Sequence, residues 1–211
     1  MGYSMITTET VTSYLQRLAS RAPAPGGGAA AALHAAQGAA LVSMVAEFTS
    51  GPRYVEVQEQ AELIAQRAKQ HMREAIHAAE EDERLFGLLS DAYFLPKDDE
   101  EQKLIRSTTI RKATIEAAAP LISTVDIASK IINLAQDLLP IANRAVSSDI
   151  AAAGESARAA LGTALVTLEM NIAAIKDEVE RERLGLVTNL ASEMIGQAQK
   201  LSCEVRSAVT V

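Results

Sequence analysis

Apolar positions along the chain recur at steps of three and four and nowhere alternate strictly with polar ones, so the pattern predicts helices and no strands. A short first segment, about Thr8 to Ala19, carries Val11, Leu15 and Leu18 on one side. The run Pro23-Ala24-Pro25-Gly26-Gly27-Gly28 ends the connection after it, and an alanine-rich helix follows to about Phe48, where Ser50-Gly51-Pro52 stops it. A long helix is predicted from about Val55 to Tyr93 or Phe94, closed by Leu95-Pro96-Lys97-Asp98-Asp99. The next segment, roughly Glu100 to Leu139, contains Pro120, which kinks it or splits it in two. Helices from about Asp149 to Lys176 and from about Glu178 to Ala208 complete the chain. The expectation is an all-α fold in a single domain over residues 1–211. It is a bundle of about six helices, with long antiparallel helices around a central alanine-rich one.

Composition sharpens this picture in three places. Hydrophobic residues make up 48% of the 211 positions but aromatic residues only 3%, which suits alanine- and leucine-rich helices and argues against a β-sandwich. The formal charge of −7, from 27 acidic and 20 basic residues, argues against a nucleic-acid partner held by a general basic surface. Cys203 is the single cysteine, so an internal disulfide or a thiolate zinc cluster within one chain is excluded, and a reducing compartment, the cytoplasm, is expected. The N-terminus shows no basic run followed by an apolar core, so no secretory signal is read there. Residues 22–46 carry no charge, which invites a membrane reading. The opening Pro/Gly run, the preponderance of Ala and Gly, and His34 and Gln37 inside it favour a helix buried among other helices instead.

Candidate chemistry comes from polar residues on apolar seams. In the long helix the inward positions run Ala61, Ile64, Ala68, Met72, Ala75, Ala79, then Asp82, then Phe86, Leu89 and Tyr93. A carboxylate on such a seam is desolvated, which raises its pKa toward the range useful for acid–base work. The competing reading is a slight rotation of the helix that leaves Asp82 in a solvated acidic face with Glu80, Glu81 and Glu83. A second seam, Ala157, Leu161, Ala164, Leu168 and Ile175, passes through Asn171, whose amide needs partners, either a neighbouring helix or a ligand. Asp149, preceded by Ser147 and Ser148, has the setting of a helix N-cap. Gly26, Gly27 and Gly28 before a helix permit close ligand approach beside free backbone N–H groups, though three glycines also make an ordinary tight turn. No Gly-Lys-Ser/Thr follows, so this is not a P-loop. His34, His71 and His77 have no metal-like spacing, and no metal site is expected. The charged stretch Lys97 to Lys103 reads as a solvated loop and helix start.

The glycine run, continuing through Ala29-Ala30-Ala31-Ala32-Leu33 to Gly38-Ala39-Ala40-Leu41 and Met44-Val45-Ala46, resembles the opening motif of the formiminotetrahydrofolate cyclodeaminase and methenyltetrahydrofolate cyclohydrolase family. Further landmarks follow in the family's order: Asp82 with Phe86 and then Leu95-Pro96-Lys97, Pro120-Leu121, Ser148-Asp149, and Asn171-Ile172 leading to Ile175-Lys176-Asp177-Glu178. The resemblance runs from about Val11 to Leu201. Two stretches depart from it: Gly51-Pro52-Arg53-Tyr54 replaces a Gly-Lys-Lys-Tyr-like segment, and Ala145-Val146-Ser147 replaces an Asn-Ala before Ser-Asp.

The resemblance implies a helical enzyme acting on the N5/N10 one-carbon bridge of tetrahydrofolate, with the catalytic aspartate at Asp82 and substrate contacts from Gly26, Gly27, Gly28, Asp149 and Asn171. Arg53, the basic residue kept in its loop, is the candidate partner for a folate carboxylate. Two reactions stay open: cyclisation of 5-formiminotetrahydrofolate to the 5,10-methenyl form with loss of ammonia, and hydrolysis of 5,10-methenyltetrahydrofolate to 10-formyltetrahydrofolate. Neither is a redox step, so no cofactor beyond the folate itself is expected. The resemblance also implies a homodimer with sites near the subunit boundary. The other class of protein compatible with this sequence is a non-catalytic helical scaffold, or a binder of folate or another anion, with the same fold.

Overall fold

The computed structural model describes residues 6–209, in which seven α-helices and two 3-10 turns are the only regular elements. The first turn, Ile6–Thr8, leads into α1 (Val11–Leu18), which opens where the Thr10 hydroxyl accepts a hydrogen bond from the Ser13 N–H at 3.1 Å. Next comes α2 (Gly27–Glu47), whose alanines carry the highest intrinsic helix propensity and whose buried residues lie on every side. By length and composition α2 could cross a membrane, but 61% of its most apolar window is buried against protein.

The remaining helices are α3 (Gln58–Tyr93), α4 (Glu100–Glu116), α5 (Ala119–Leu138), α6 (Ser147–Ala174) and α7 (Glu178–Val209). Sequence signals set most of their starts. Asp99 accepts from the Gln102 N–H at 2.8 Å to cap α4, and Asp177 accepts from Val179 N–H at 3.0 Å at the head of α7. Pro120 splits its segment rather than kinking it. The break falls just before it, and the proline sits in the first turn of α5, where its missing N–H has no partner to lose. The long helix starts at Gln58, three residues later than Val55, because residues 52–57 are spent on turns.

The central position belongs to α2, which packs on α3, α5 and α6. Glycine makes one of these contacts possible: a Cβ at Gly38 would stand 3.1 Å from the carbonyl oxygen of Ala153. Since Gly27 faces Thr163 and Thr167 while Gly38 faces Ala153 and Ala157, α2 and α6 run antiparallel. The same holds for α3, whose Asp82 meets Gly28 near one end of α2 and whose Lys69 bridges to Glu47 at the other. One apolar cluster, including Val42, Leu121, Ile131, Leu161, Leu168, Leu184 and Leu201, links α2 through α7. The bundle of long antiparallel helices around an alanine-rich centre is therefore present as expected, with α1 lying outside it and burying no residue.

Candidate active site

Within α3, Ala75, Ala79 and Ala78 are buried, and the next turn carries Asp82 and Glu83 inward instead of an apolar side chain. The solvated acidic face is not what forms, because the acidic run is divided by partner. Glu83 is buried and takes a bidentate pair from Arg17 of α1, with both N···O distances 2.9 Å. Glu80 accepts from the Thr7 hydroxyl at 2.8 Å, and Glu81 pairs with Arg84 on the surface. Beyond this point the expected seam leaves the core: Phe86 and Tyr93 are 43% and 54% exposed, since the last turns of α3 have little but α4 beside them.

Asp82 reaches the N-terminus of α2. Gly26, at the N-cap of that helix, has no side chain to satisfy the free N–H groups. The Asp82 carboxylate does this from across the fold by accepting from the Ala29 N–H. The approach is so close that a Cβ on Gly28 would lie 2.0 Å from Oδ1 and 2.7 Å from Oδ2. Gly28 is thus fixed by space, and its neighbours are not: a Cβ on Gly27 would make ordinary contact with Thr163 at 3.8 Å, and one on Gly26 would meet nothing within 4 Å. Burial pushes the pKa of Asp82 up to about 6; the Ala29 N–H works against this and the Glu83 charge adds to it.

Three residues absent from the sequence-based candidates complete this corner: Glu9, Tyr14 and Arg17. The Arg17 guanidinium sits between two carboxylates, donating through Nε to Glu9 at 3.1 Å as well as to Glu83, and this holds it firmly protonated. Tyr14 has its hydroxyl pKa raised, first by burial and then by the Glu83 charge, with smaller contributions from Asp82 and Glu9. No sequence signal marks Arg17 as a partner, because it is 66 residues from Glu83. Glu83 does stand one turn after Ala79 in the buried row, which is the signal that could have found it. Arg17→Ala is expected to cost about 3 kcal/mol of stability, since it leaves Glu83 buried and unpaired. Urea denaturation checks this, and a loss under 1 kcal/mol would show that Glu83 finds water or another partner.

The other expected site residues divide between the two ends of the bundle. Asn171 lies one turn beyond Thr167 on the α6 row that faces Gly27, so it belongs to the Asp82 end. Arg53 is exposed in the loop after α2, and α2 spans about 30 Å from its glycine end to that loop. Asp149 lies one turn before Ala153, which packs on Gly38, and this too puts it well away from Asp82. Nor is Asp149 the N-cap: Val146 occupies that position, and Asp149 falls inside the first turn, where its charge still suits the helix dipole. Among the described residues no three His, Cys, Asp or Glu side chains gather as a metal site.

A protonatable carboxylate set on a helix N-terminus, with a glycine cleared for it and a second carboxylate beside it, is the candidate acid–base site of this all-α fold. The sequence profile of the formiminotransferase-cyclodeaminase family matches residues 10–186, and the chain belongs to this family. A methenyltetrahydrofolate cyclohydrolase from Methylorubrum extorquens is 33% identical over 207 residues, covering 97% of this chain and 100% of that protein. A formimidoyltransferase-cyclodeaminase from Mus musculus is 26% identical over 82% of this chain, which spans only 32% of the mouse protein. The crystal structure of formiminotetrahydrofolate cyclodeaminase from Thermotoga maritima shares the fold, with a TM-score of 0.85 over 97% of this chain and 99% of that one, at 23% identity.

Proposed function

We propose that the protein is a folate one-carbon enzyme that hydrolyses 5,10-methenyltetrahydrofolate to 10-formyltetrahydrofolate, with Asp82 as its proton-transfer group. The observation that carries this reading is the Asp82 carboxyl itself, poised near pH 6 at the head of α2. The full-length similarity to a cyclohydrolase favours hydrolysis over the ammonia-releasing cyclisation.

In this mechanism the ionised Asp82 takes a proton from a water as its oxygen attacks the methenyl carbon. Collapse of the resulting adduct breaks the bond to N5, and Asp82 returns the proton to N5. The hydroxyl proton on the same carbon leaves to solvent as the formyl C=O forms on N10. The methenyl bridge is cationic, so its arrival favours the ionised carboxylate needed for the first step. The glycine loop and Asn171 flank the substrate on the α2–α6 side, and no cofactor beyond the folate takes part. Arg53 and Asp149 belong to this reading as contacts for more distant parts of the substrate, or for a site completed by a second subunit.

The reaction is tested by following the near-ultraviolet band of 5,10-methenyltetrahydrofolate with purified protein. Its loss above the spontaneous rate supports hydrolysis. Its appearance from 5-formiminotetrahydrofolate, with ammonia, would move the assignment to cyclodeaminase, a reading that the partial similarity to the mouse protein supports. Absence of both reactions would leave the scaffold or anion-binding reading.

We place the enzyme in the cytoplasm as a homodimer. Support for self-association comes from α6 and α7, where Val166, Met170, Val179 and Leu186 are 57%, 71%, 74% and 67% exposed on one chain. Light scattering should give twice the 22.4 kDa chain mass, and Leu186→Asp should shift it toward one chain. A variant that stays fully dimeric would remove this face from the interface.

A further inference from the structure

A groove of about 420 Å³ lies between α1, α2 and α3, and the proton transfers above make no use of it. Its walls are mainly apolar: Leu15 from α1, Leu33 from α2, Met72 and Ile76 from α3. Its size and lining suit a flat ring system. Glu9 and Tyr14 supply the polar part of the α1 side.

One of these groups is unfinished. The Glu9 side chain is only 6% exposed; its Oε2 accepts from Arg17 Nε at 3.1 Å, and its Oε1 stands 2.8 Å from Arg17 Nη2 in an ion pair. The Tyr14 hydroxyl is likewise buried without a hydrogen-bond partner among the described residues. Buried polar atoms are nearly always paired, and an unpartnered hydroxyl beside a buried carboxylate over one groove points to a missing ligand. The charge count says which kind: two carboxylates share the single Arg17 cation, so the surplus is negative and the ligand brings N–H donors. The segment carrying them can adjust, because α1 buries no residue and the segment is held to α3 through Arg17 to Glu83 and Thr7 to Glu80.

We propose that the pterin ring of the substrate lies in this groove, with its donor-rich aminopyrimidine edge, N3–H and the 2-amino group, toward the Glu9 carboxylate and the Tyr14 hydroxyl. The inference rests on the folate reading above and assigns the end of the substrate that is held here. Tyr14 is close enough to Asp82 and Glu83 to feel both charges, which sets the groove beside the Asp82 corner. Glu9 and Tyr14 are then binding residues for the ring, distinct from the proton-transfer group.

Calorimetric titration tests this with three probes: tetrahydrofolate, tetrahydropterin, and p-aminobenzoyl-glutamate, which lacks the ring. Tyr14→Phe removes only the orphan oxygen and should weaken tetrahydrofolate and tetrahydropterin about tenfold while leaving Tm and p-aminobenzoyl-glutamate binding unchanged. Glu9→Gln puts an amide donor where an acceptor is required and should weaken them further. Unchanged affinity for both ring-containing probes in both variants, with turnover intact, overturns the ring site and leaves the folate reading standing. A loss confined to p-aminobenzoyl-glutamate and tetrahydrofolate also overturns it, by showing that the groove holds the tail. A wild-type protein with neither folate binding nor turnover overturns the folate reading and this inference together.

Discussion

Asp82→Asn is expected to lower kcat by about 10²–10⁴ while raising the stability of the protein at neutral pH. The first effect follows from losing the group that takes and returns the proton. The second follows from the direction of the shift. Burial raises the folded-state pKa from the ordinary 3.8 to about 6, so the folded protein holds a proton more tightly than the unfolded chain does. The corresponding stabilisation is complete below pH 3.8 and disappears as pH rises through 6. Above that, the ionised carboxylate costs about 2–3 kcal/mol relative to its neutral form. An asparagine keeps an oxygen acceptor for the Ala29 N–H and carries no charge. After allowing for the new amide donors, it should gain about 1–2 kcal/mol, or roughly 3–6 °C in Tm, at pH 8. The gain should vanish below about pH 4, where the wild-type aspartate is neutral in both states. The wild-type kcat/KM should rise with pH through the same region, because the free enzyme needs the ionised base. Thermal melts at pH 4 and pH 8 with matched rate profiles check all of this. A variant less stable than wild type at pH 8 would show that Asp82 serves the fold rather than the chemistry.

The same residue shows how far the sequence could be read. A charge at an inward position of a well-kept helical period is visible without coordinates, because the period fixes which face a residue occupies. Its partners are invisible, because they come from other helices. Nothing near Asp82 in sequence indicates that its carboxylate lands on the first turn of α2, or that Glu83 is neutralised by Arg17 of α1. Breaks between helices were legible wherever Pro, Gly or a capping acid marks them, as at Asp99 and Asp177. The packing direction was not, and it separates residues that look alike on paper. Asp149 has the right chemistry for a site, yet antiparallel packing of α6 carries it to the far end of α2, where the length of α2 itself already puts Arg53. The apolar seam misled at Phe86 and Tyr93 for a related reason: periodicity says which residues share a face, but only the neighbouring helices decide how far along that face burial extends.

Gly28→Ala is expected to cost about 10²–10³ in kcat, within the range expected for losing the carboxylate, although alanine is the better helix former. The methyl group would stand 2.0 Å from Asp82 Oδ1 and 2.5 Å from Cγ, inside any tolerable contact. Helix α2 cannot give way, because its alanines are packed at zero exposure on both sides of the first turns. The short Asp82 side chain therefore has to rotate off the helix terminus. It gives up the Ala29 N–H, which is left without its partner at a cost of about 1–2 kcal/mol, partly offset by alanine's propensity. Rotation toward solvent also removes the burial that raised the pKa, so the acid limb of the remaining activity should move below pH 6. Gly27→Ala is the matched control, since its methyl group meets Thr163 and Thr167 at ordinary distances and leaves Asp82 in place. It should keep kcat within about tenfold of wild type and gain a little stability from propensity. Equal losses in the two variants would mean that the glycines serve substrate approach as a loop. A loss confined to Gly28→Ala, with its shifted pH limb, would mean that the glycine exists to admit the carboxylate.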